Sequence, residues 1–241
     1  MLGRFAQNVR SFQAAQAIDQ QPSSSATFSP VKVVLSLYGL LFTIFLGAVL
    51  QHHAPLRHLT RDPLAIVDKP FYFGAISQLG ILVWCVGAAS CLFGYIILKQ
   101  LNPREKEFPR FFLWAGLLTA TLMLDDLFMG HEMIFPRYLH ISEKIIYVFY
   151  AIAFSLFLIS FRKTILKTNF WILALVFVFF GMSIISDAAE LGRHILPPAL
   201  LKRDMHLLLE DGTKEFGILS WCTYFCITMV NRVCSSIRLA P

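Results

Sequence analysis

The chain has 241 residues, of which 56% are hydrophobic and 15% are charged, and its formal net charge at pH 7 is +6. Soluble domains carry about 25% charged residues, so this composition excludes a soluble globular enzyme, and its hydrophobicity excludes an intrinsically disordered chain. The composition predicts an integral membrane protein that crosses the bilayer several times.

The N-terminal segment, residues 1–30, differs in pattern from the rest of the chain. Apolar residues recur every three or four positions from Leu2 to Phe12, with arginines between them, which predicts a short basic amphipathic helix on a membrane surface. A frayed terminus is the alternative. Residues 21–30 are rich in Ser and Pro and predict a linker. Residues 31–241 are expected to form one transmembrane domain.

Six apolar runs predict six membrane-spanning helices. A helix rises 1.5 Å per residue, so about 20 residues cross a hydrocarbon core of roughly 30 Å. The runs are continuous and lack the alternation of period two that a transmembrane β-barrel requires. We therefore expect an all-α bundle of six transmembrane helices. The runs are Val33–Leu50, Phe71–Leu98, Phe111–Leu124, Ile145–Phe161, Thr168–Ser186 and Phe216–Asn231.

The distribution of charge predicts the orientation. If both termini are cytoplasmic, the inner segments hold 12 of the 21 basic residues and three of the 15 acids, and all seven histidines lie outside. The positive-inside rule favours this orientation. The basic inner face is suited to anionic lipids of the bilayer and not to nucleic acid. The expected location is a bacterial-type cytoplasmic membrane or an internal membrane.

The third run carries acidic residues at its outer end. Phe111–Leu124 rises only about 21 Å, so the helix is expected to continue through the following polar residues. Asp125 and Asp126 would then lie inside the apolar slab, with His131 and Glu132 near its outer edge. On an uninterrupted helix Asp125 and Glu132 share a face, whereas Asp126 and His131 point to the flanks. Ionisable residues inside a membrane are functional candidates by default.

Two further helix ends place polar side chains at the same predicted depth. On an extended fifth helix, Asp187, Glu190 and His194 would fall on one face. The sixth run is also short, so the residues before it should belong to the helix, where its positive N-terminal end would favour acids. We expect three helix ends to surround one outward-facing cavity. The sixth helix contributes Glu210, Asp211 and Lys214.

Carboxylates and imidazoles in this number are suited to a divalent metal, namely zinc, manganese or iron. The spacing is less specific than the composition, because both the Glu-x-x-His pattern of carboxylate-bridged bundles and the HExxH pattern of metalloproteases are absent. Glu210 or Asp211 is the candidate acid–base group, and Lys214 is a candidate charge partner at the catalytic site. The candidate metal ligands are Asp125, Asp126, His131, Glu132, Asp187, Glu190 and His194.

Three functions remain open at this stage. The first is a metal-dependent membrane enzyme, a hydrolase or an oxidase, that acts on a lipid-like substrate. The second is a transporter or channel subunit coupled to protons or cations, in which the same acids form a relay. The third is an accessory subunit that binds other membrane-protein subunits and uses the polar residues only as a salt-bridge network.

Overall fold

The computed structural model describes residues 30–61, 63–191 and 203–238, and it describes the side chains of these residues except at 30, 33, 187–191 and 203–210. All regular secondary structure within these ranges is helical, which confirms the all-α prediction at this level. The chain forms two compact units, Met1–Asp68 and Lys69–Pro241.

The described part of the first unit consists of one long helix followed by two short ones. The helices are α1 Pro30–Leu50, α2 Leu56–Thr60 and α3 Pro63–Val67. The side chain of Gln51 organises the turn after α1. Its amide nitrogen donates to the carbonyl oxygens of Ala48 and Ala54, at 3.2 and 2.7 Å, and its Oε1 accepts from the backbone N–H groups of His53 and Ala54. This side chain satisfies backbone groups that the helix end leaves without partners.

The described residues of the second unit form five long helices and one π-helix. Three of the helices, α4 to α6, are long and apolar enough to cross a membrane, which supports the prediction of a membrane protein. The apolar stretches Val34–Leu50 and Phe170–Ser186 are shorter, so the number of six spans and the orientation of the termini stay predictions. The elements are α4 Ala75–Leu101, α5 Glu107–Phe128, the π-helix Gly130–Tyr138, α6 Glu143–Ile165, α7 Phe170–Leu191 and α8 Arg203–Arg238.

A series of three glycines sets the contact between α4 and α8. A Cβ on Gly80 would lie 2.5 Å from the carboxylate oxygens of Glu215, and one on Gly94 would lie 2.8 Å from the side chain of Met229. Between them, Gly87 faces Cys222. The partner positions rise by seven on both helices, so α4 and α8 run parallel and meet along a seam of small residues. Such seams allow close approach of helix backbones in membranes.

The core of the second unit is largely aromatic and lies between α4, α5, α6, α7 and α8. Trp221 is fully buried, and its ring contacts those of Trp84, Phe154 and Phe225. Its indole N–H donates to the hydroxyl oxygen of Thr119 over 2.9 Å. Outward-facing residues on the same helices are largely apolar, as expected for surfaces that face lipid.

One predicted helix boundary is wrong, and one predicted extension is confirmed. The helix α5 ends at Phe128 and does not continue through Glu132. The helix α8 includes the polar residues before Phe216, as predicted, and it extends back to Arg203, so Glu210 and Asp211 are interior helical positions without the predicted interaction with a helix N-terminus. The polar residues after α5 instead form a π-helix, which the length of the apolar run could not predict.

Candidate functional site

Asp125, Asp126 and His131 form what we call the Asp–His cluster, at the end of the bundle where α5 ends. One side-chain donor atom from each of the three lies within 4.8 Å of the other two. Asp125 and His131 are each 8% exposed, and the side chain of Asp126 is 14% exposed. The cluster is therefore a largely buried group of titratable side chains.

A break in the helix brings these residues together. Met129 adopts the left-handed conformation, with φ 49° and ψ 48°, and the π-helix begins at the next residue. A Cβ at Gly130 would lie 2.3 Å from Oδ1 of Asp125, so a larger residue there would displace this carboxylate. The sequence prediction placed Asp126 and His131 on the flanks of a continuous helix, apart from Asp125. The turn at Met129 instead carries His131 back against the end of α5.

Asp125 and His131 are in direct side-chain contact within the cluster. Nδ1 of His131 is hydrogen-bonded to Oδ2 of Asp125. The Tyr150 hydroxyl on α6 interacts with the same carboxylate, and the Tyr147 ring lies 5.5 Å from the imidazole, centroid to centroid. Within the described part of the chain, Oδ1 of Asp125 is a buried oxygen without hydrogen-bond geometry to any partner.

The charge state of His131 follows from its neighbours. Burial disfavours the charged imidazolium and by itself lowers the pKa of His131. The hydrogen bond to Asp125 and the negative charge of that residue act in the opposite direction, and Glu132 adds to them. These interactions outweigh burial, so the pKa of His131 lies above its ordinary value. The protonated imidazole is therefore favoured by a direct ion pair.

Asp126 is held by two donors from distant parts of the chain. The Lys214 ammonium on α8 donates to Oδ1 over 3.0 Å, and the Trp84 indole N–H on α4 donates to Oδ2 over 2.9 Å. Both carboxylate oxygens are thus engaged, and the charge of Asp126 is offset by that of Lys214. These contacts join α4, α5 and α8 at the cluster.

The remaining predicted site residues do not form part of the described cluster. Glu132 is at its margin: its side chain is 56% exposed, and Oε1 lies 3.6 Å from Nε2 of His131. Asp211 is exposed on α8. The structure describes the helical backbone at Asp187, Glu190 and Glu210 but not their side chains, and His194 lies outside the described residues.

Sequence reasoning missed two residues that contact the cluster, Trp84 and Tyr150. Both lie within apolar runs, where an aromatic side chain is normally assigned to packing or to the membrane interface. Their chemistry is the signal that could have identified them, since a buried indole N–H or phenol hydroxyl usually finds a hydrogen-bond partner. Their partners are 42 and 25 positions away in the chain, and sequence spacing cannot identify them.

The arrangement offers two carboxylates and one imidazole to a common point. Zinc, manganese and iron take this combination of ligands, and three protein ligands leave a coordination position open for water or substrate. The indole of Trp84 and the ammonium of Lys214 orient the carboxylate of Asp126 through their hydrogen bonds. Partners of this kind fix metal ligands in other proteins.

Comparison with known proteins identifies the family but no activity. No curated protein and no solved structure matches the chain. The family described as a domain of unknown function (DUF8692) matches residues 33–228, which is most of the chain, and the protein belongs to this family.

Proposed function

We propose that the protein is a membrane metalloenzyme whose Asp–His cluster binds one divalent metal ion. A single observation carries this proposal: donor atoms of Asp125, Asp126 and His131 converge within 4.8 Å at the buried end of α5. The proposed substrate is membrane-soluble and lipid-like, because the helices α4 to α6, which all contribute contacts to the cluster, have apolar outer surfaces.

The chemistry of the cluster fits a cation. Oδ1 of Asp125 is buried without a partner in hydrogen-bond geometry among the described residues, while the Tyr150 hydroxyl and the His131 backbone N–H lie beside the same carboxylate. A cation could take the position of the missing partner. Asp125 and Asp126 together carry two negative charges, which Lys214 and a protonated His131 offset. Replacement of the His131 proton by a metal ion would leave that charge compensated. For both Asp125 and His131 to be ligands, the direct contact between them must open and His131 must lose its proton.

The residues around the cluster have defined roles in this proposal. Lys214 and Trp84 hold the Asp126 carboxylate in one orientation, and Tyr150 orients Asp125. Lys214 also supplies a positive charge beside any anion that develops during a reaction. A divalent metal bound here supplies an activated water for hydrolysis, or oxidative chemistry if the metal is iron.

The experiment that tests the proposal is metal analysis of the purified chain. After loading with zinc, manganese or iron and removal of excess metal, the wild type is expected to retain about one equivalent of one of them. His131→Gln and Asp125→Asn should retain much less. Glu143→Gln is the matched control, since Glu143 lies at the same end of the bundle and accepts a hydrogen bond from Tyr147.

Two results would contradict the metal site. One is a wild-type protein that retains no stoichiometric metal under any of the three loading conditions. The other is an unchanged metal content in both cluster variants. Monodisperse elution and a native circular dichroism spectrum are required of each variant, so that a loss of metal is not confused with a loss of fold.

A second candidate function is cation-coupled transport. It is favoured by the ion pair between Asp126 and Lys214, because a coupling ion could exchange with the ammonium group at this carboxylate. Proteoliposomes should then show ion flux that Asp126→Asn abolishes. Wild-type flux in that variant, or no flux in any preparation, counts against transport.

We further propose that the chain crosses a membrane six times, with both termini cytoplasmic and the Asp–His cluster on the outer side. Support comes from the distribution of basic residues and from the contacts between helices. The pairs Trp84–Asp126 and Thr164–Glu107 show that α5 runs opposite to α4 and α6. A C-terminal fluorescent-protein fusion should fluoresce. An active C-terminal phosphatase fusion would show that the orientation is the opposite of the one proposed.

A further inference from the structure

A groove at the other end of the bundle carries chemistry that the metal proposal does not use. It lies between the start of α5 and the end of α6, and its volume is about 670 Å³. We call it the basic groove and define it by Lys106, Glu107 and Arg110 together with residues 159–164. Glu107 and Asp125 are separated on α5 by about 27 Å at 1.5 Å per residue, so the groove is remote from the Asp–His cluster.

Four of the side chains that line the basic groove are cations. All four are exposed, and none of them forms an ion pair with another residue that the structure describes. Two are arginines, whose planar guanidinium groups suit the bidentate recognition of phosphate oxygens. The four are Lys106, Arg110, Arg162 and Lys163.

Among the described residues, Glu107 is the only acid that lines the groove, and it is already engaged. The carboxylate oxygens of Glu107 accept hydrogen bonds from the Lys167 ammonium, both at 2.9 Å, and Oε1 also accepts from the Thr164 hydroxyl at 2.8 Å. Lys167 therefore neutralises Glu107 from outside the groove. The four cations keep their full attraction for an anion.

The groove also has an apolar side. Ile159 lines it and is 65% exposed, and Phe161 lies next to the cations. Both α5 and α6 are long and apolar enough to cross a membrane, so their ends lie where phospholipid headgroups meet the hydrocarbon core. The groove thus presents positive charge at headgroup level and an apolar surface directly beside it.

We propose that the basic groove binds the phosphate headgroup of an anionic phospholipid, with an acyl chain along the α6 surface at Ile159. Basic pockets between transmembrane helices are suited to such headgroups. A free phosphate ion would use the cations but not the apolar side. The groove therefore favours a lipid over a soluble anion, although the recognised chemistry is the same.

The test measures lipid binding to the purified full-length chain. Delipidated protein in detergent is titrated with dioleoyl phosphatidylglycerol, dioleoyl phosphatidylcholine or inorganic phosphate, and native mass spectrometry reports the bound species. We expect the wild type to retain phosphatidylglycerol in preference to phosphatidylcholine. Each positive charge removed should weaken retention about fivefold, so Arg110→Gln/Arg162→Gln should weaken it by about 25-fold.

The matched control removes two positive charges at the same end of the helix bundle but outside the groove. Arg104→Gln/Arg238→Gln should bind phosphatidylglycerol as the wild type does. If the groove double variant does not fold, Lys163→Gln alone is expected to show the fivefold loss. The metal content is measured in parallel and should not change in any of these variants.

Three results would overturn the proposal. The first is equal binding of phosphatidylglycerol and phosphatidylcholine. The second is an equal loss in the groove pair and the control pair, which would indicate a diffuse surface charge. The third is complete displacement of the lipid by millimolar inorganic phosphate, which would assign the groove to a soluble anion.

Discussion

The ammonium nitrogen of Lys214 lies 3.0 Å from Oδ1 of Asp126, and this contact joins α8 to the end of α5. The two residues are 88 positions apart in the chain. The Asp126 side chain is 14% exposed and that of Lys214 is 39% exposed, so the pair is partly screened by solvent. Its contribution to stability is correspondingly intermediate between that of a surface pair and that of a buried pair.

A double-mutant cycle tests this ion pair. Lys214→Met and Asp126→Asn should each lower the free energy of unfolding, and the double variant should lose less than the sum of the two. We expect a coupling energy of about 1 kcal/mol for a partly exposed pair. Denaturant unfolding in bicelles measures it, and Lys144→Met on an exposed site of α6 is the control. If the effects of the two substitutions are fully additive, the ion pair makes no contribution to the free energy of unfolding.

Trp84 should stabilise the fold through its indole N–H as well as through its ring. Trp84→Phe removes the 2.9 Å hydrogen bond to Oδ2 of Asp126 and leaves that oxygen without a donor. Hydrogen bonds to charged groups contribute about 1.5–3 kcal/mol, so a loss of at least about 1.5 kcal/mol is expected. Trp171→Phe is the control because Trp171 is 60% exposed. Equal unfolding midpoints by circular dichroism would contradict this role.

The hydrogen bond between Trp221 and Thr119 offers a test of the core. Both side chains are fully buried, so Thr119→Val keeps the shape of the site but leaves the indole N–H without its acceptor. The expected cost is about 1–3 kcal/mol in the free energy of unfolding. Thr121→Val is the matched control on the same helix, since Thr121 is exposed and its hydroxyl bonds only to the carbonyl oxygen of Leu117 in its own helix.

The outcome for these two threonine variants can separate packing from hydrogen bonding. A large loss of stability in both variants would indicate that valine disturbs α5 itself. A small loss in both would indicate that the hydrogen bond from the Trp221 N–H makes no net contribution to stability. Thr119→Ser restores the hydroxyl without the methyl group and should recover part of the loss. No recovery in the serine variant would show that removal of the methyl group costs as much as removal of the hydroxyl.

The contact between α4 and α5 depends on Gly116. An added Cβ would lie 2.8 Å from Cδ2 of Leu92 and 3.1 Å from Cβ of Cys91. Gly116→Ala should therefore force the helices apart or displace Leu92, at a cost of about 1–3 kcal/mol. Gly181→Ala has no heavy atom within 4 Å of the new Cβ and should be neutral or slightly stabilising. Thermal unfolding in detergent compares the two variants. An equal change in the unfolding temperature would show that the contact between α4 and α5 does not depend on Gly116.

Composition and expected depth in the bilayer were enough to indicate the end of α5 as a candidate site. Asp125 and Asp126 follow an apolar run that is too short to cross a bilayer, and this alone marked the end of α5 as the place of interest. The geometry of the site was not predictable in the same way. Gly130 lies two positions after Phe128, where α5 ends, and a glycine in this region is a common signal for a helix end.

The amino-acid sequence by itself determined that the chain is helical and apolar enough for a membrane, because length and hydrophobicity are local properties. It also determined that acids and a histidine occur near one helix end. The tertiary structure decided which of them meet. Met129 turns the chain so that His131 contacts Asp125, and the packing of α4 and α8 against α5 brings Trp84 and Lys214 to Asp126. Such contacts depend on a left-handed residue and on helix packing across many positions, and neither has a periodicity that a sequence displays.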